Sequence, residues 1–271
     1  MARAAGRKEA IMMTARRALV TGSSRGIGAA IARALAGSGH RVAVHCRADT
    51  TAADAVAAAL PAAVALPGGG HAVVTGDIAD PRQAAGLVTA AISALGGIDV
   101  LVNNAGVYVH QPIDATSYAD WQASWRRVVD TNVHGSANVT WCMTDHLLNR
   151  PEGAAGARII CVGSRGAYRG EPTAPAYGAA KAALHAMAQS LAVALAPHGI
   201  AVAAVAPGFA RTEMAESVLS GPDGDGVRAQ SPFGRVAEPD EVASAVAWLA
   251  SPEALWASGA VIDLNGASHL R

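Results

Sequence analysis

The sequence predicts an α/β protein, one doubly wound parallel sheet of about seven strands with helices on both faces. Short β-branched or apolar runs alternate with longer alanine-rich segments of helical period, the signature of βαβ units. Seven such runs fit one sheet, and no internal repeat or linker divides them. A single domain is therefore expected over residues 14–271, preceded by a disordered extension over 1–13.

The first strand is expected at 18–21, followed by a glycine turn and a helix at about 27–36. A β-branched run at 41–46 makes the second strand, and alanine-rich 49–60 the helix after it. The lowest-complexity stretch, 52–70, carries Pro61, Pro67 and Gly68-Gly69-Gly70, and reads as that helix ending in a loop before strand three at 72–75. Asp80-Pro81 places proline at a first helical position, so a helix runs over 81–95. Strand four follows at 100–103, one long helix at 118–148, strand five at 158–162, a helix at 175–196 and strand six at 201–206. Gly221 to Gly226 reads as a mobile loop. Glu238-Pro239 starts a last helix over 239–250, and 260–264 closes the sheet.

Composition removes several classes of function. The 271 residues hold 21 Lys+Arg against 21 Asp+Glu, a formal net charge of zero. That removes the electrostatic footprint that nucleic acid or an anionic membrane surface needs, so neither is expected as a partner. Cys46, Cys142 and Cys161 are odd in number and far apart, which disfavours a disulfide framework or zinc site and points to a reducing compartment; no metal is expected. The most apolar long stretch, 186–210, is interrupted by Pro197, His198, Gly199 and Pro207, against a membrane span. Basic residues 1–17 lack the apolar core of a signal peptide. Alanine holds 65 positions, so large side chains are fewer than the 51% hydrophobic content implies.

The first chemistry-bearing motif is Thr21-Gly22-Ser23-Ser24-Arg25-Gly26-Ile27-Gly28. A chain that turns sharply from strand to helix there lets backbone approach a pyrophosphate and aims helix N–H groups at negative charge. The spacing is G-x-x-x-G-x-G, not the G-x-G-x-x-G fingerprint. Later motifs follow in order: Asp77-Ile78, Asn103-Asn104-Ala105-Gly106, Asn132, Ser164, Tyr177-x-x-x-Lys181 and Pro207-Gly208. As an ordered set, from about Arg17 to Gly266, they resemble the short-chain dehydrogenase/reductase family.

The resemblance implies a Rossmann-type fold and a nicotinamide dinucleotide cofactor. It assigns cofactor contacts to Gly22, Ser24, Arg25, Gly26, Ile27 and Gly28 in the turn, and to Asp77 at the adenine, with the Ile78 side chain on the ring. Asn104, Ala105 and Gly106 let the chain pass close to the cofactor, and Pro207, Gly208 and Thr212 lie at the nicotinamide carboxamide. Strand two ends His45-Cys46-Arg47, with cysteine where NAD-preferring members resemble one another in carrying aspartate. Arg47 and Arg25 would pair a 2′-phosphate, so NADP(H) is expected over NAD(H), although Asp49 is near enough to accept from a ribose.

Tyr177 and Lys181 lie one helical turn apart, on one face. A phenol is a poor proton carrier at neutral pH unless its anion is stabilised, which an ammonium one turn away does. Ser164 is placed to hydrogen-bond a substrate oxygen, and by resemblance Asn132 supports a water relay to Lys181, which grips the nicotinamide ribose and with Tyr177 counts among the cofactor contacts. His134, two residues along the helix from Asn132, points elsewhere and reads as packing or interface.

The expected reaction is reduction of a small-molecule carbonyl to an alcohol. The segment from Val205 to Met214 and the ending Leu264-Asn265-Gly266 look like the 3-oxoacyl-[acyl-carrier-protein] reductase branch, while Ala267 departs from it. An NAD(P)-dependent sugar, polyol or secondary-alcohol dehydrogenase, or a non-catalytic NADP-binding protein, stand as alternatives. Arg211, Arg228 and Arg235 either attract an anionic substrate or are surface cations. The resemblance further implies a cytoplasmic homotetramer, and the small residues of helix 175–196 allow the close approach this needs.

Overall fold

Seven strands, β1 (Arg17–Val20), β2 (Arg41–Cys46), β3 (Ala72–Thr75), β4 (Val100–Asn103), β5 (Arg158–Val162), β6 (Ala201–Pro207) and β7 (Val261–Leu264), pair in the order β3-β2-β1-β4-β5-β6-β7, all parallel. This computed structural model describes residues 16–62 and 70–271. The extension expected over 1–13 and the loop residues Pro67, Gly68 and Gly69 lie outside the described residues.

Each strand but β7 is followed by a helical crossover, as parallel pairing demands. The helices are α1 (Gly26–Gly37), α2 (Thr51–Ala59), α3 (Pro81–Leu95), α4 (Tyr118–Val129), α5 (Ser136–Asn149), α6 (Gly166–Arg169), α7 (Pro175–Leu195), α8 (Glu213–Leu219), α9 (Gly224–Ala229) and α10 (Pro239–Ala250). Their ends follow from local chemistry. Asp80 caps α3 by accepting from the Arg82 and Gln83 N–H groups, and left-handed Gly96 ends it. Glu238 and Glu241 close a reciprocal box around Pro239 at the start of α10.

The sheet carries a core on each face. On one, Leu87, Leu95, Val139, Met143, Leu147 and Leu184 from α3, α5 and α7 cover it; on the other, Ile31, Leu35, Val242, Val246 and Leu249 from α1 and α10 do so. Alanines Ala29, Ala30 and Ala32 let α1 lie close to α10. Beneath the strands' N-terminal ends, Asp99 accepts from Arg17 (2.8 Å) and Arg150 (2.7 Å), which hold its carboxyl down at about 2 despite burial. Helix 175–198 is long and apolar enough to cross a membrane by length and composition. Here it packs on β5 and β6.

The helix predicted over 118–148 is found, running on through a π segment, Asp130–Gly135, that joins α4 to α5. Hydrophobic periodicity does not register a π segment, which inserts a residue within a helix; this one carries Asn132, whose side chain meets the loop after β4 at Val107. The glycine-rich segment 221–226 is not simply a loop, since α9 begins at Gly224. Arg228 ties it down by donating to Leu219 O (2.8 Å) and pairing with Asp225 (2.9 Å).

Candidate active site

The sheet order reverses between β1, whose next strand lies to one side, and β4, which lies on the other. A crevice opens beyond the strand C-termini at such a point. The glycine turn sits on its floor, and Gly22 and Gly28 are there for want of space. A Cβ on Gly22, whose φ is +62°, would lie 2.8 Å from Ala105 Cα. One on Gly28 would overlap Gly22 O and the Asn104 side chain.

Asn104 clamps the turn. Its Nδ2 donates to Thr21 O (2.9 Å) and Gly22 O (3.0 Å), while Thr21 Oγ1 accepts from the Asn104 and Ala105 N–H groups (3.0 Å each). Sequence reasoning missed a second clamp, His45. Its Nδ1 accepts from the Gly22 N–H (2.9 Å), so Nε2 carries the proton and donates to Gly76 O (2.9 Å). Burial pushes this imidazole below its ordinary value, in keeping with the neutral form both bonds require. A histidine near the end of a strand that precedes the crevice was the available signal.

The α1 N-terminus lacks a side-chain cap, leaving its first N–H groups for an anion. Arg25 is exposed and lies 3.4 Å from Glu213, a pair of little strength. Arg47 is exposed and makes no ion pair among the described residues. Cys46 is buried at the end of β2, and Asp49 accepts from the Thr51 N–H (3.0 Å) at the start of α2. Thr212 lies against Gly26, so the chain after β6 reaches across to the glycine turn. Gly208 admits Asn265 closely, a Cβ there falling 3.1 Å from Asn265 Cα. Ser24 and Ile27 lie in the turn and at the opening of α1.

Asp77 accepts from the Ala79 N–H (3.0 Å) with one oxygen. The reading of Ile78 is corrected: its side chain is buried in the sheet core against Gly135, not on the crevice wall. Little of that side chain is left exposed for a ring to pack on. Apolar character in sequence does not distinguish a core contact from a ring contact.

The reacting end gathers Ser164, Tyr177, Lys181 and Asn132. Lys181 Nζ is buried, donates to Val162 O (2.7 Å) and lies 5.6 Å from the Tyr177 ring centre. Burial lowers its ammonium to about 8, with Cys161 pulling the other way. The Tyr177 phenol is pushed up to about 12, chiefly by burial; the Ser164 hydroxyl opposes this, and Glu171 and Tyr108 add to it. Tyr108 stands edge-on to the Tyr177 ring at 5.2 Å. Asn132 accepts from the Val107 N–H (2.8 Å) and donates to Val107 O (3.0 Å), holding the loop after β4. A Cβ on Gly106 would stand 3.2 Å from Asn132 Oδ1 and 3.6 Å from Lys181 Nζ, so only glycine keeps the gap between them open. His134 instead faces outward and pairs with Asp130 (3.1 Å).

Arg211, Arg228 and Arg235 are all engaged, with Glu238, Asp225 and Glu241 at 2.9, 2.9 and 2.7 Å. They behave as surface cations.

His185, one turn beyond Lys181, is buried with neither ring nitrogen hydrogen-bonded, and burial with Lys181 and Arg271 nearby lowers it from 6.5 to about 4. Because the folded value lies below the unfolded one, the unfolded chain takes the proton first as pH falls. Stability from this group is complete above pH 6.5 and declines towards pH 4 by about 3 kcal/mol. Urea unfolding of wild type and His185→Leu at pH 7 and 4.5 checks this. The expected result is a smaller acid loss in the variant, and equal losses would remove the assignment.

These features define a nucleotide-cofactor oxidoreductase, and comparison with known proteins agrees. A family model described as Enoyl-(Acyl carrier protein) reductase matches residues 22–269. An uncharacterized oxidoreductase of Methylorubrum extorquens is 40% identical, covering 92% of this chain and 96% of the relative. A 3-oxoacyl-[acyl-carrier-protein] reductase of Synechocystis sp. is 36% identical over 94% and 97%. Among solved structures, a short-chain dehydrogenase of Burkholderia cenocepacia in complex with NADP aligns at TM-score 0.81 and 34% identity, covering 93% and 97%. A 3-ketoacyl-(acyl-carrier-protein) reductase of Brucella melitensis complexed with NADH aligns at 0.81 and 30%, covering 93% and 98%. The chain belongs to the short-chain dehydrogenase/reductase family and is an oxidoreductase.

Proposed function

We propose that this enzyme reduces a carbonyl, a ketone or a 3-oxoacyl thioester, to an alcohol with NADP(H), using Tyr177 as general acid. The observation that carries the reading is the meeting of Ser164, Tyr177 and buried Lys181 at the end of β5. When bound, the dinucleotide supplies the hydride and, once oxidised, a positive charge.

Its site fits the group. Gly22, Gly26 and Gly28 leave room for backbone to approach phosphate, the opening turn of α1 presents N–H donors, and Arg47, with no ion pair among the described residues, offers a guanidinium for a 2′-phosphate. Asp77 has a carboxylate oxygen left for the adenine. Ser164 donates to the substrate oxygen and orients the carbonyl. Tyr177, protonated at neutral pH by burial, gives its proton to that oxygen as alkoxide character develops. Lys181 then faces the phenolate with a buried ammonium, where a charge acts more strongly than in water. Asn132 fixes the loop whose Gly106 leaves open the gap towards Lys181, the natural place for a relay water.

The experiment is an NADPH-consumption screen over β-keto thioesters, simple ketones, quinones and sugars, with Tyr177→Phe as control. Turnover of none of these by wild type would overturn the reading. Arg47→Ala is expected to lower kcat/KM for NADPH about 10- to 100-fold, the worth of one hydrogen bond to charge, with little effect on NADH. Equal effects on both would assign Arg47 to the surface.

The same proposal takes residues 14–271 as one domain and the protein as a cytoplasmic homotetramer. The second point is supported by α7, where Ala179, Ala182, Ala183 and Ala186 are exposed beside Val193 at 79%. A stable monomer in sedimentation would remove it.

A further inference from the structure

A cavity of about 340 Å³ opens at the C-terminal ends of β6 and β7, between the chain after Pro207 and α10. It lies one strand over from Ser164. Phe209, Val227, Val236, Val242 and Leu264 make its walls largely apolar.

One charged group in the wall is unneutralised. Arg165, the residue after Ser164, is only 4% exposed, yet its single side-chain hydrogen bond among the described residues goes to the neutral Ser268 Oγ (2.7 Å). Its guanidinium lies 5.5 Å from the Phe209 ring centre. Arg165 itself lines the cavity. Glu171 and Arg169 act on it only through space, with opposite signs. A guanidinium has five N–H groups, and removing it from water without an acceptor is costly.

The carboxylates in the same wall are already engaged. Glu241 accepts from Arg235 through both oxygens (2.7 Å each), and Asp263 accepts from Arg271 (2.9 Å). The hydroxyls of Ser231 and Ser268 donate to Gly266 O and Asn265 O. Gln230 accepts from Arg169 through Oε1, and its Nε2 is a second donor with no partner among the described residues.

A spare cation and a spare amide donor over apolar walls ask for a ligand group that only accepts. We propose that this cavity binds a carboxylate carried on an apolar body, held by Arg165 and Gln230. The volume suits a small molecule rather than an ion. The ligand is either the far end of the substrate or a separate molecule.

Calorimetric titration of the full chain with octanoate tests this without recourse to turnover, so it stands or falls apart from the carbonyl reading. Saturable binding is expected, at least about tenfold weaker in Arg165→Gln and in Gln230→Glu, which puts a carboxylate opposite Arg165 without altering it. Neutral octanamide should bind no better to wild type than to either variant. No saturable octanoate binding, or equal binding to wild type and a folded Gln230→Glu, overturns the proposal. To separate the two sources, a keto acid is compared with its methyl ester. A preference for the acid that Arg165→Gln abolishes identifies the substrate's own end. Octanoate that leaves the KM of the neutral ketone unchanged identifies a separate ligand.

Discussion

Tyr177→Phe is expected to lower kcat for carbonyl reduction by about 10²- to 10⁴-fold while leaving NADPH affinity largely intact. The substitution removes one oxygen and keeps the ring that stands against Tyr108 and Lys181, so the site keeps its shape. Ser164 and Lys181 remain, and with them carbonyl orientation and positive charge; what disappears is the proton donor. The wild-type pH profile adds a second signature. A phenol near 12 stays protonated across the neutral range, so Tyr177 itself imposes no pH dependence on reduction there. The reverse oxidation needs the phenolate and should rise with pH, less steeply if a bound cationic ring lowers the phenol. Stopped-flow turnover in both directions, with fluorescence titration of NADPH, separates chemistry from binding. Full activity in the variant would falsify Tyr177 as the acid.

Lys181→Met should show a different pattern, because the buried ammonium supports both the phenolate and the region around Val162 O. Loss in both kcat and cofactor affinity is expected. That pattern would separate the phenol from the ammonium in function although they share one helical face.

The sheet was legible because parallel strands are buried on both faces, and runs such as Arg41–Cys46 and Arg158–Val162 therefore read as continuous apolar or β-branched segments. Helix starts were legible where proline and an acidic residue coincide, at Asp80-Pro81 and Glu238-Pro239. What escaped depends on contacts distant in sequence. The π turn at Asn132 is stabilised by the Val107 backbone, His45 works by reaching Gly22 and Gly76, and Ile78 turns inward because Gly135 leaves it room. Helices α8 and α9 are too short for periodicity to register. The candidate catalytic set was visible as an ordered motif. Arg165 was not, since one arginine after a serine carries no pattern until the cavity is seen.

Gly28→Ala is expected to abolish measurable dinucleotide binding, weakening it by about 10² or more, although alanine is the better helix former by about 1 kcal/mol. The added Cβ would overlap Gly22 O and the Asn104 side chain and lie 2.9 Å from Ser23 Cα. Asn104 must then give up its bonds to Thr21 O and Gly22 O, so the one clamp on the turn from the β4 side is lost. The turn itself moves, and with it the N–H groups that face the phosphates. Two other glycines of α1 make the comparison decisive. Gly37 has nothing within 4 Å of a built Cβ, so Gly37→Ala should leave binding intact and add about 0.5–1 kcal/mol of stability. Gly26 meets only Thr212, at an ordinary 3.4 Å, but its φ of +54° costs an L side chain about 1–2 kcal/mol. Gly26→Ala should therefore lose stability first and affinity second. If all three variants bind NADPH alike, crowding at Gly28 is not what shapes the turn, and the phosphate site must lie elsewhere along the crevice.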